Sequence, residues 1–270
     1  MQRVRLDSLL SQRGLFASRS RAAASVLAGE VLLLPERRRA EKPGQLVPGE
    51  VELELDEGPA FVSRGGIKLA NALHSLALEV RGRRALDVGA STGGFTDCLL
   101  QRGAAHVVAL DVAYGELDWG LRCDERVTVI ERRNARSLHR SELPYAADLI
   151  VVDVSFISLG KVLPSVLECA AARYDCLALV KPQFEVGRGQ VGKGGVVREP
   201  HLRRRALIEV GQAALDLGAA VLGFASSGLP GPKGNLETFA WIAEGARAEL
   251  PSRGRRGACD LERAAREVEP

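Results

Sequence analysis

Short apolar runs alternate with stretches of helical spacing over most of the chain, from about Arg83 to Ile242. Short buried strands that alternate with helices are typical of a parallel sheet in a doubly wound α/β fold. The predicted strands are Ala85–Val88, Val107–Leu110, Val127–Ile130, Leu149–Val152, Leu177–Val180 and Val221–Phe224, and the predicted helices include Lys68–Leu78, Phe95–Arg102 and Leu202–Leu217.

Four charged residues stand beside the predicted ends of these elements. Asp153 and Lys181 close two of the runs, and ligands of such sheets bind outside the carboxyl ends of the strands. Glu237 opens a last run, Thr238–Ile242, and would lie at the same edge if that strand is antiparallel. Lys68 begins the helix before the first strand. We expect two ammonium and two carboxylate groups to converge, a cluster suited to holding and activating a hydroxyl group.

The first 60 residues follow a different pattern. Leu6–Leu10 predicts a short amphipathic helix, and Ser18 can cap a second helix that runs to about Ala28. Two short strands, Val31–Leu34 and Gln45–Val47, follow. The sequence therefore predicts a small α+β unit ahead of the sheet domain. The expected segments are residues 1–55 for this unit, 56–62 for a linker, 63–250 for the sheet domain and 251–270 for a loosely ordered tail.

Composition narrows the class of protein. A chain of 270 residues that is 46% apolar can bury a full core. No apolar run approaches the roughly 18 to 20 residues that span a bilayer, and the N-terminus lacks a signal-peptide pattern. Five cysteines without C-x-x-C spacing, and four histidines without ligand-like spacing, predict no metal site and no disulfide framework. We expect a cytoplasmic protein with no membrane partner.

Basic residues crowd the N-terminal unit, although the net charge of the chain is only +3. Such a run is usually a solvated face. Here, however, Arg19 and Arg21 flank a helix start, where arginines and backbone N–H groups can both meet phosphates. Together with Arg3 and Arg5 they favour RNA contact over the plain surface interpretation.

A glycine-rich turn follows the first predicted strand of the sheet domain, in the segment DVGASTGGFTDCLL. Glycines permit a tight turn and a close approach of the backbone to a ligand. The alternative is a phosphate-binding or purely structural turn, but Asp87 is a poor neighbour for a pyrophosphate and a good one for the cationic S-adenosylmethionine. Asp111 follows the loop by roughly 20 residues and can bind ribose hydroxyls. The expected cofactor residues are Asp87, Gly89, Ser91, Gly93, Gly94, Phe95, Asp111, Asn134 and Asp153.

Several longer motifs carry a family resemblance. The order R-L-D-x-L-L, G-L-F-A-S-R-S-R-A and K-P-G-Q-L-V resembles the RNA-binding fold of small-subunit ribosomal protein four, except that Leu34–Glu36 replaces the usual N-G turn. With SRGGIKLANAL, DVSFISL, LVKPQFEVGRGQVGKGGVVR and GNLETF, residues 3 to 245 resemble the TlyA family of rRNA methyltransferases, whose members also carry haemolysin names.

This resemblance implies a Rossmann-like, S-adenosylmethionine-dependent methyltransferase sheet of the FtsJ type behind an RNA-binding domain. It implies methylation of the ribose 2′-hydroxyl of cytidine in ribosomal RNA, with ribosomal subunits as partners. The family's Lys-Asp-Lys-Glu catalytic tetrad falls on Lys68, Asp153, Lys181 and Glu237 without substitution. Members of the shorter form modify large-subunit RNA and those of the longer form modify both subunits; the arginine-containing extension before Leu6 favours the longer form. The expected RNA-binding residues are Arg3, Arg5, Arg19, Arg21, Arg64, Arg188 and Lys193.

The predicted chemistry centres on Lys181. A neighbouring positive charge such as Lys68 would favour a neutral lysine that acts as a base, whereas carboxylates would favour a charged lysine that stabilises the developing alkoxide. The sequence leaves both roles open, and neither requires a metal. The glycine-dense loop from Gly187 to Gly195 is either a flexible connection or, as its place after Lys181 favours, a lid that orders on RNA.

Two rival functions follow from the same sequence. One is a non-catalytic RNA-binding or ribosome-assembly protein, which an intact tetrad and cofactor loop disfavour. The other is a membrane-active haemolysin, which the lack of a spanning segment disfavours. A dehydrogenase is a more distant third, because Asp87 beside the glycine-rich loop is a poor neighbour for a pyrophosphate.

Overall fold

The computed structural model describes residues 3–27, 30–55, 60–249 and 260–269. The chain divides into two compact units, residues 1–60 and 61–270. Most of the expected linker, residues 56–59, lies outside the described residues, as do Gly29 and Cys259.

In its described residues, the N-terminal unit combines two short helices with five short strands. Its helices pack together around Leu6, Leu10 and Val26, all of which are buried. The Ser18 hydroxyl accepts a hydrogen bond from the Arg21 amide at 3.2 Å, so it caps the second helix as predicted. The elements are β1 (Arg3–Arg5), α1 (Leu6–Gln12), α2 (Arg19–Leu27), β2 (Val31–Leu33), β3 (Arg38–Arg39), β4 (Leu46–Pro48) and β5 (Leu53–Leu55).

The strand pairings described in this unit are antiparallel. Strand β1 pairs with β4, and β2 lies between β3 and β5. The residues that depart from the family's usual turn, at Leu34–Pro35, form a cis peptide bond between β2 and β3.

The second unit is an α/β domain built on one seven-stranded sheet. All seven predicted strands of this unit are present, and all but Val127–Ile130 extend by at least one residue beyond their apolar runs. The strands are β6 (Arg84–Val88), β7 (His106–Leu110), β8 (Val127–Ile130), β9 (Ala147–Val152), β10 (Ala170–Val180), β11 (Ala219–Ser226) and β12 (Thr238–Glu244). The helices are α3 (Arg64–Ser75), α4 (Gly94–Gln101), α5 (Trp119–Arg122), α6 (Leu163–Glu168), α7 (Pro182–Glu185), α8 (Pro200–Asp216) and α9 (Leu261–Val268).

The order of strands is β11-β12-β10-β9-β6-β7-β8. Strands β10, β9, β6, β7 and β8 are parallel neighbours, and β12 runs antiparallel to both β10 and β11. The chain leaves β6 towards β7 on one side and later returns to β9 on the other, so the sheet has a topological switch point beside β6. Ligands of open α/β sheets bind at this point, outside the carboxyl ends of the strands.

Helices cover both faces of this sheet. Alternate residues of β6 belong to different cores: Leu86 packs in the cluster that includes Val210 of α8, and Ala85 packs in the cluster that includes Leu69 of α3 and Leu99 of α4. Strands buried on both faces are near-continuous apolar runs, which explains why the sequence pattern revealed them.

The C-terminal segment differs from the expected loosely ordered tail. Residues 251–259 lie outside the described residues, but Asp260 caps α9 by accepting from the Arg263 amide at 3.1 Å. Helix α9 packs against α8 and β11, with Ala265 fully buried. The tail prediction is therefore wrong for residues 260–269, because alternating charges hid a three-residue apolar stripe of Leu261, Ala265 and Val268.

Candidate active site

Lys181 and Asp153 form an ion pair at the carboxyl edge of the sheet. They directly follow β10 and β9, which are parallel neighbours, so both side chains start from the same edge. Lys181 Nζ lies 2.5 Å from Asp153 Oδ1 and donates a hydrogen bond to Ser155 Oγ at 2.9 Å. The ammonium nitrogen is thus fixed by two contacts, one charged and one neutral.

Lys68 and Glu237 form a second ion pair, which is almost completely buried. Lys68 Nζ donates to Glu237 Oε2 at 2.5 Å, and the two residues are 6% and 2% exposed. Glu237 directly precedes β12, whose first residue pairs with Val180 at the end of β10. The antiparallel direction of β12 therefore brings Glu237 to the edge that carries Lys181, as predicted.

Two adjoining clefts at this edge are lined by members of the ion pairs. The smaller cleft, of about 310 Å³, is lined by Lys68 and Asp153, so it meets one member of each pair. The larger cleft, of about 560 Å³, runs over the ends of β6, β7 and β9. Both clefts are lined by Gly89, Ser91 and Asp153, so they adjoin at the glycine-rich turn.

The glycines of this turn are required by its geometry. Gly89 has a φ of +85°, and a Cβ there would collide with the carbonyl oxygen of Asp153. Gly93 has a φ of +97° and packs against Leu117 and Leu121, so it supports the turn from behind and lines neither cleft. Gly94 and Phe95 line the smaller cleft.

Asp111 joins the glycine-rich turn to the next strand. Its Oδ2 accepts from the Ser91 amide at 2.7 Å, and its Oδ1 accepts from the Ala113 amide at 2.8 Å. Asn134 accepts from the Arg136 amide at 3.0 Å through its side-chain oxygen. All of these residues line the larger cleft except for Ala113, so two expected cofactor residues, Asp111 and Asn134, lie along the same cleft.

Asp87 is, after Gly93, the second expected cofactor residue that does not reach a cleft. It is fully buried behind the turn and lines neither cleft. Its Oδ2 accepts from the Thr96 hydroxyl of α4 at 2.7 Å, whereas Oδ1 has no hydrogen-bond partner among the described residues. Burial, with smaller contributions from Asp153 and Asp111, raises the pKa of Asp87 to about 7. The prediction that Asp87 contacts the cofactor is therefore wrong; its side chain supports the glycine-rich turn from the protein interior.

Three further residues at this edge escaped the sequence interpretation. Ser155 holds Lys181, and Glu116 lines the larger cleft with its Oε2 3.3 Å from Ser91 Oγ. Phe156 also lines that cleft, with 91% of its surface exposed and a φ of +64°. The signal for Ser155 was its place two residues after Asp153, and an exposed phenylalanine cannot be distinguished from a core one by sequence pattern alone.

The four arginines expected to bind RNA in the N-terminal unit fall into two kinds. Arg5 and Arg19 both pair with Asp7, at 2.7 and 3.2 Å. Their hydrogen bonds hold the pKa of the Asp7 carboxyl well below its usual range. Arg3 and Arg21 are exposed, and within the described ranges their side chains make no ion pair. Asp7 thus orders Arg5 and Arg19, whereas Arg3 and Arg21 make no ion pair with a described residue.

The remaining expected RNA contacts belong to the second unit. Arg64, the first residue of α3, lines the smaller cleft and donates to the Pro230 carbonyl oxygen at 2.9 Å. Arg188 lies in a short 3₁₀ turn, Arg188–Gln190, and Lys193 is exposed further along the same loop. Residues 192–197 are held by backbone bonds and by Asn235, so this part of the glycine-dense loop has a defined path.

No cluster of three or more potential metal ligands occurs among residues 3–27, 30–55, 60–249 and 260–269. In the same ranges, no helix has the length and apolar character needed to cross a bilayer.

The fold and the site together define a class of protein. A sheet with one antiparallel strand next to the end, a glycine-rich turn after its first strand and an acidic residue after its second are the marks of Rossmann-like methyltransferases. Comparison with known families agrees, because the family described as FtsJ-like methyltransferase matches residues 61–243.

Individual relatives narrow the family. A Mycobacterium tuberculosis protein named 16S/23S rRNA (cytidine-2′-O)-methyltransferase TlyA is 49% identical over 257 residues, which is 94% of each chain. A Campylobacter jejuni protein named 23S rRNA (cytidine-2′-O)-methyltransferase TlyA is 32% identical and covers 87% of this chain and 98% of its own. A solved structure from Streptococcus thermophilus that carries a hemolysin name matches with 37% identity and a TM-score of 0.72, covering 99% of this chain and 94% of that one. The chain belongs to the TlyA family of FtsJ-like methyltransferases.

Proposed function

We propose that this methyltransferase transfers a methyl group from S-adenosylmethionine to the ribose 2′-hydroxyl of cytidine in ribosomal RNA. The observation that carries the proposal is the two ion pairs at one edge of the sheet, Lys68–Glu237 and Lys181–Asp153, of which Asp153 lines both clefts and Lys68 lines the smaller one. The relatives named for this reaction match the chain over nearly its whole length.

The larger cleft suits S-adenosylmethionine. Its volume of about 560 Å³ is in the range of small-molecule sites, and the backbone at Gly89 has no side chain to obstruct a ligand. Asp111 and Glu116 offer carboxylate oxygens for ribose hydroxyls, and Asn134 offers a side-chain amide for adenine. When bound, the cofactor supplies a methyl group that its sulfonium has already activated.

The contacts of Lys181 fit its proposed role. A neutral lysine has two N–H donors and one lone pair. Ser155 accepts one N–H, and the Asp153 carboxylate lies beside the nitrogen at 2.5 Å, so a neutral Lys181 keeps its lone pair for the proton of the 2′-hydroxyl. If the lysine stays charged, its third N–H instead donates to the developing alkoxide. In both cases Asp153 and Ser155 fix the direction in which Lys181 meets the substrate.

The Lys68–Glu237 pair has a different role in this proposal. Both side chains are buried, and a buried pair needs both partners because one alone would leave an uncompensated charge. Lys68 also lines the smaller cleft, where the target ribose would enter between it and Asp153. The pair therefore shapes the entrance to the smaller cleft, and Glu237 fixes the position of the Lys68 ammonium there.

RNA binding is assigned to the N-terminal unit, with Arg64, Arg188 and Lys193 as additional contacts. Phosphate contacts from arginines position an RNA-binding protein on its substrate. Asp7 supports this assignment because it orders Arg5 and Arg19 without fully covering them. We also propose that RNA of both subunits is modified, in the cytoplasm, because the relative at 49% identity is named for 16S and 23S RNA.

Methyl transfer in vitro tests this function. Purified protein, radiolabelled S-adenosylmethionine and isolated small and large ribosomal subunits should give RNA-bound label that alkaline hydrolysis leaves as a resistant dinucleotide. Calorimetry should separately show cofactor binding in the micromolar range, roughly 8 kcal/mol. If the protein binds the cofactor but labels neither subunit nor free rRNA, the assignment of rRNA as substrate is refuted. If it does not bind the cofactor, the assignment as a methyltransferase reaction is refuted.

A further inference from the structure

The side chain of Asn235 joins two segments of the methyltransferase unit that are distant in sequence. It is 2% exposed. Its Oδ1 accepts from the Val197 amide at 2.9 Å, and its Nδ2 donates to the Gly195 carbonyl oxygen at 2.8 Å. The Asn235 carbonyl oxygen also accepts from the Gly231 amide at 2.8 Å. Asn235 thus acts like a short stretch of strand that pairs with residues 195–197.

One of these segments is the glycine-dense loop that follows Lys181. Within it, the Gly192 amide donates to the Val196 carbonyl oxygen at 3.1 Å, which closes a tight turn around the exposed Lys193. Val197, the next residue, is 3% exposed and packs in the core beneath α8. Asn235 therefore binds the loop at residues 195–197, between the exposed turn and the buried Val197.

The other segment carries Glu237, two residues beyond Asn235. The Glu237 carbonyl oxygen accepts from the Ser227 amide at 3.1 Å, and its carboxylate binds Lys68. A Cβ at Gly231 would collide with Glu237 Oε1, so the Gly231–Asn235 turn is packed directly against this carboxylate. A shift of the turn must therefore displace either the Glu237 carboxylate or the loop.

We propose that Asn235 is a positioning residue that couples the loop bearing Lys193 to the Lys68–Glu237 pair. RNA held by Lys193 would fix residues 192–197, Asn235 would transmit that order to the Gly231–Asn235 turn, and the turn would hold Glu237 in place against Lys68. The proposal rests on the proposed function for its substrate. It adds that RNA contact outside the cleft contributes to turnover as well as to affinity.

A double-mutant cycle tests the coupling. In the wild-type background, Lys193→Gln should raise KM and also lower kcat. In the Asn235→Ala background the same change should raise KM alone, because the route to Glu237 is broken. Asn235→Ala by itself should lower kcat on the order of tenfold while the Kd for S-adenosylmethionine stays within about twofold.

Asn71→Ala is the matched control. Its side-chain amide donates to the Ser227 carbonyl oxygen at 3.0 Å, so the variant also removes an amide bond to the Ser227–Glu237 segment but none to the loop. The effects of Asn71→Ala and Lys193→Gln on kcat and on KM, expressed as free energies, should therefore be additive. Equal effects of Lys193→Gln in the wild-type and Asn235→Ala backgrounds would overturn the proposal.

Hydrogen exchange supplies a readout that does not depend on turnover. Adding rRNA to the wild type should slow exchange in both the 191–199 and the 227–238 peptides, but in Asn235→Ala only in the first. If Asn235→Ala does not fold, Asn235→Asp serves, because it keeps the acceptor for Val197 and places an oxygen against the Gly195 carbonyl. Parallel protection of both peptides in the variant contradicts the coupling, whereas absence of methyl transfer by the wild type contradicts only the proposed function.

Discussion

The amino group of Lys181 contacts Asp153 and Ser155 and can still bind the hydroxyl of the substrate. Lys181→Ala should therefore lower kcat on the order of 10²- to 10⁴-fold, the usual contribution of a positioned base. Affinity for S-adenosylmethionine and RNA should change little, because the contact matters most in the transition state. Single-turnover assays with calorimetry check this. Near-normal turnover would move the central role to Lys68 or Asp153.

Asp87 shows the limit of sequence pattern for side-chain direction: it was predicted to contact the cofactor, but its side chain is buried behind the turn. Sequence pattern places it one residue before the end of a strand, beside the cofactor loop. Whether its side chain faces the ligand or the core depends on which helix packs over that face of the sheet. Here α4 covers it, and its partner is the Thr96 hydroxyl.

The pKa of Asp87 predicts a pH dependence of stability. Burial raises this pKa from 3.8 to about 7, so the folded protein binds the proton more tightly than the unfolded chain does. Stability should therefore fall as the pH rises from about 4 to 7, by up to roughly 1.4 kcal/mol for each unit. Asp87→Asn keeps an acceptor for Thr96 but cannot ionise.

Denaturant unfolding of the wild type and Asp87→Asn at pH 5 and pH 8 measures this effect. The free energy of unfolding of the variant relative to that of the wild type should be higher at pH 8 than at pH 5. The same difference at both pH values would mean that Asp87 titrates normally.

At the scale of the elements, the sequence predicted where the strands end, but not which charged side chains at those ends form ion pairs. Continuous apolar runs marked β6 to β10, and the rule that ligands bind at carboxyl ends placed Asp153 and Lys181. The pairing of Lys68 with Glu237 and of Lys181 with Asp153 depends on side-chain reach across the edge, which no spacing encodes. Helix α9 was missed because its apolar stripe consists of only three residues, which are surrounded by charged ones.

The turn after β6 makes a prediction about backbone geometry. Gly89→Ala forces a left-handed φ on alanine and puts its Cβ against the Asp153 carbonyl. The strained backbone alone should cost about 1–3 kcal/mol of stability, and displacement of Asp153 should weaken cofactor binding and slow turnover. Gly115→Ala is the control, because Gly115 has a similar φ of +75° but open space around it. Equal losses of cofactor affinity in the two variants would refute the special role of Gly89.

At the scale of the whole molecule, RNA affinity and cofactor affinity are assigned to different residues. Replacing Arg3 and Arg21 with alanine should weaken rRNA binding and reduce its salt slope by about one for each phosphate that is no longer neutralised. Arg13→Ala is the control, because its guanidinium already donates to the Val51 and Gly49 carbonyl oxygens. Cofactor affinity should stay constant in all variants. An unchanged slope in the double variant would leave the N-terminal unit without its assigned role.

The central claim is that the two ion pairs at the sheet edge carry 2′-O-methyl transfer to cytidine in rRNA. Mass-spectrometric mapping of 2′-O-methyl groups tests it most directly, with rRNA from cells that lack this protein and from the same cells supplied with the wild type or with Lys181→Ala. We predict a new 2′-O-methylcytidine with the wild type and none with the variant. A methyl map that is identical in all three samples, or a new methyl group on a base, would contradict the account.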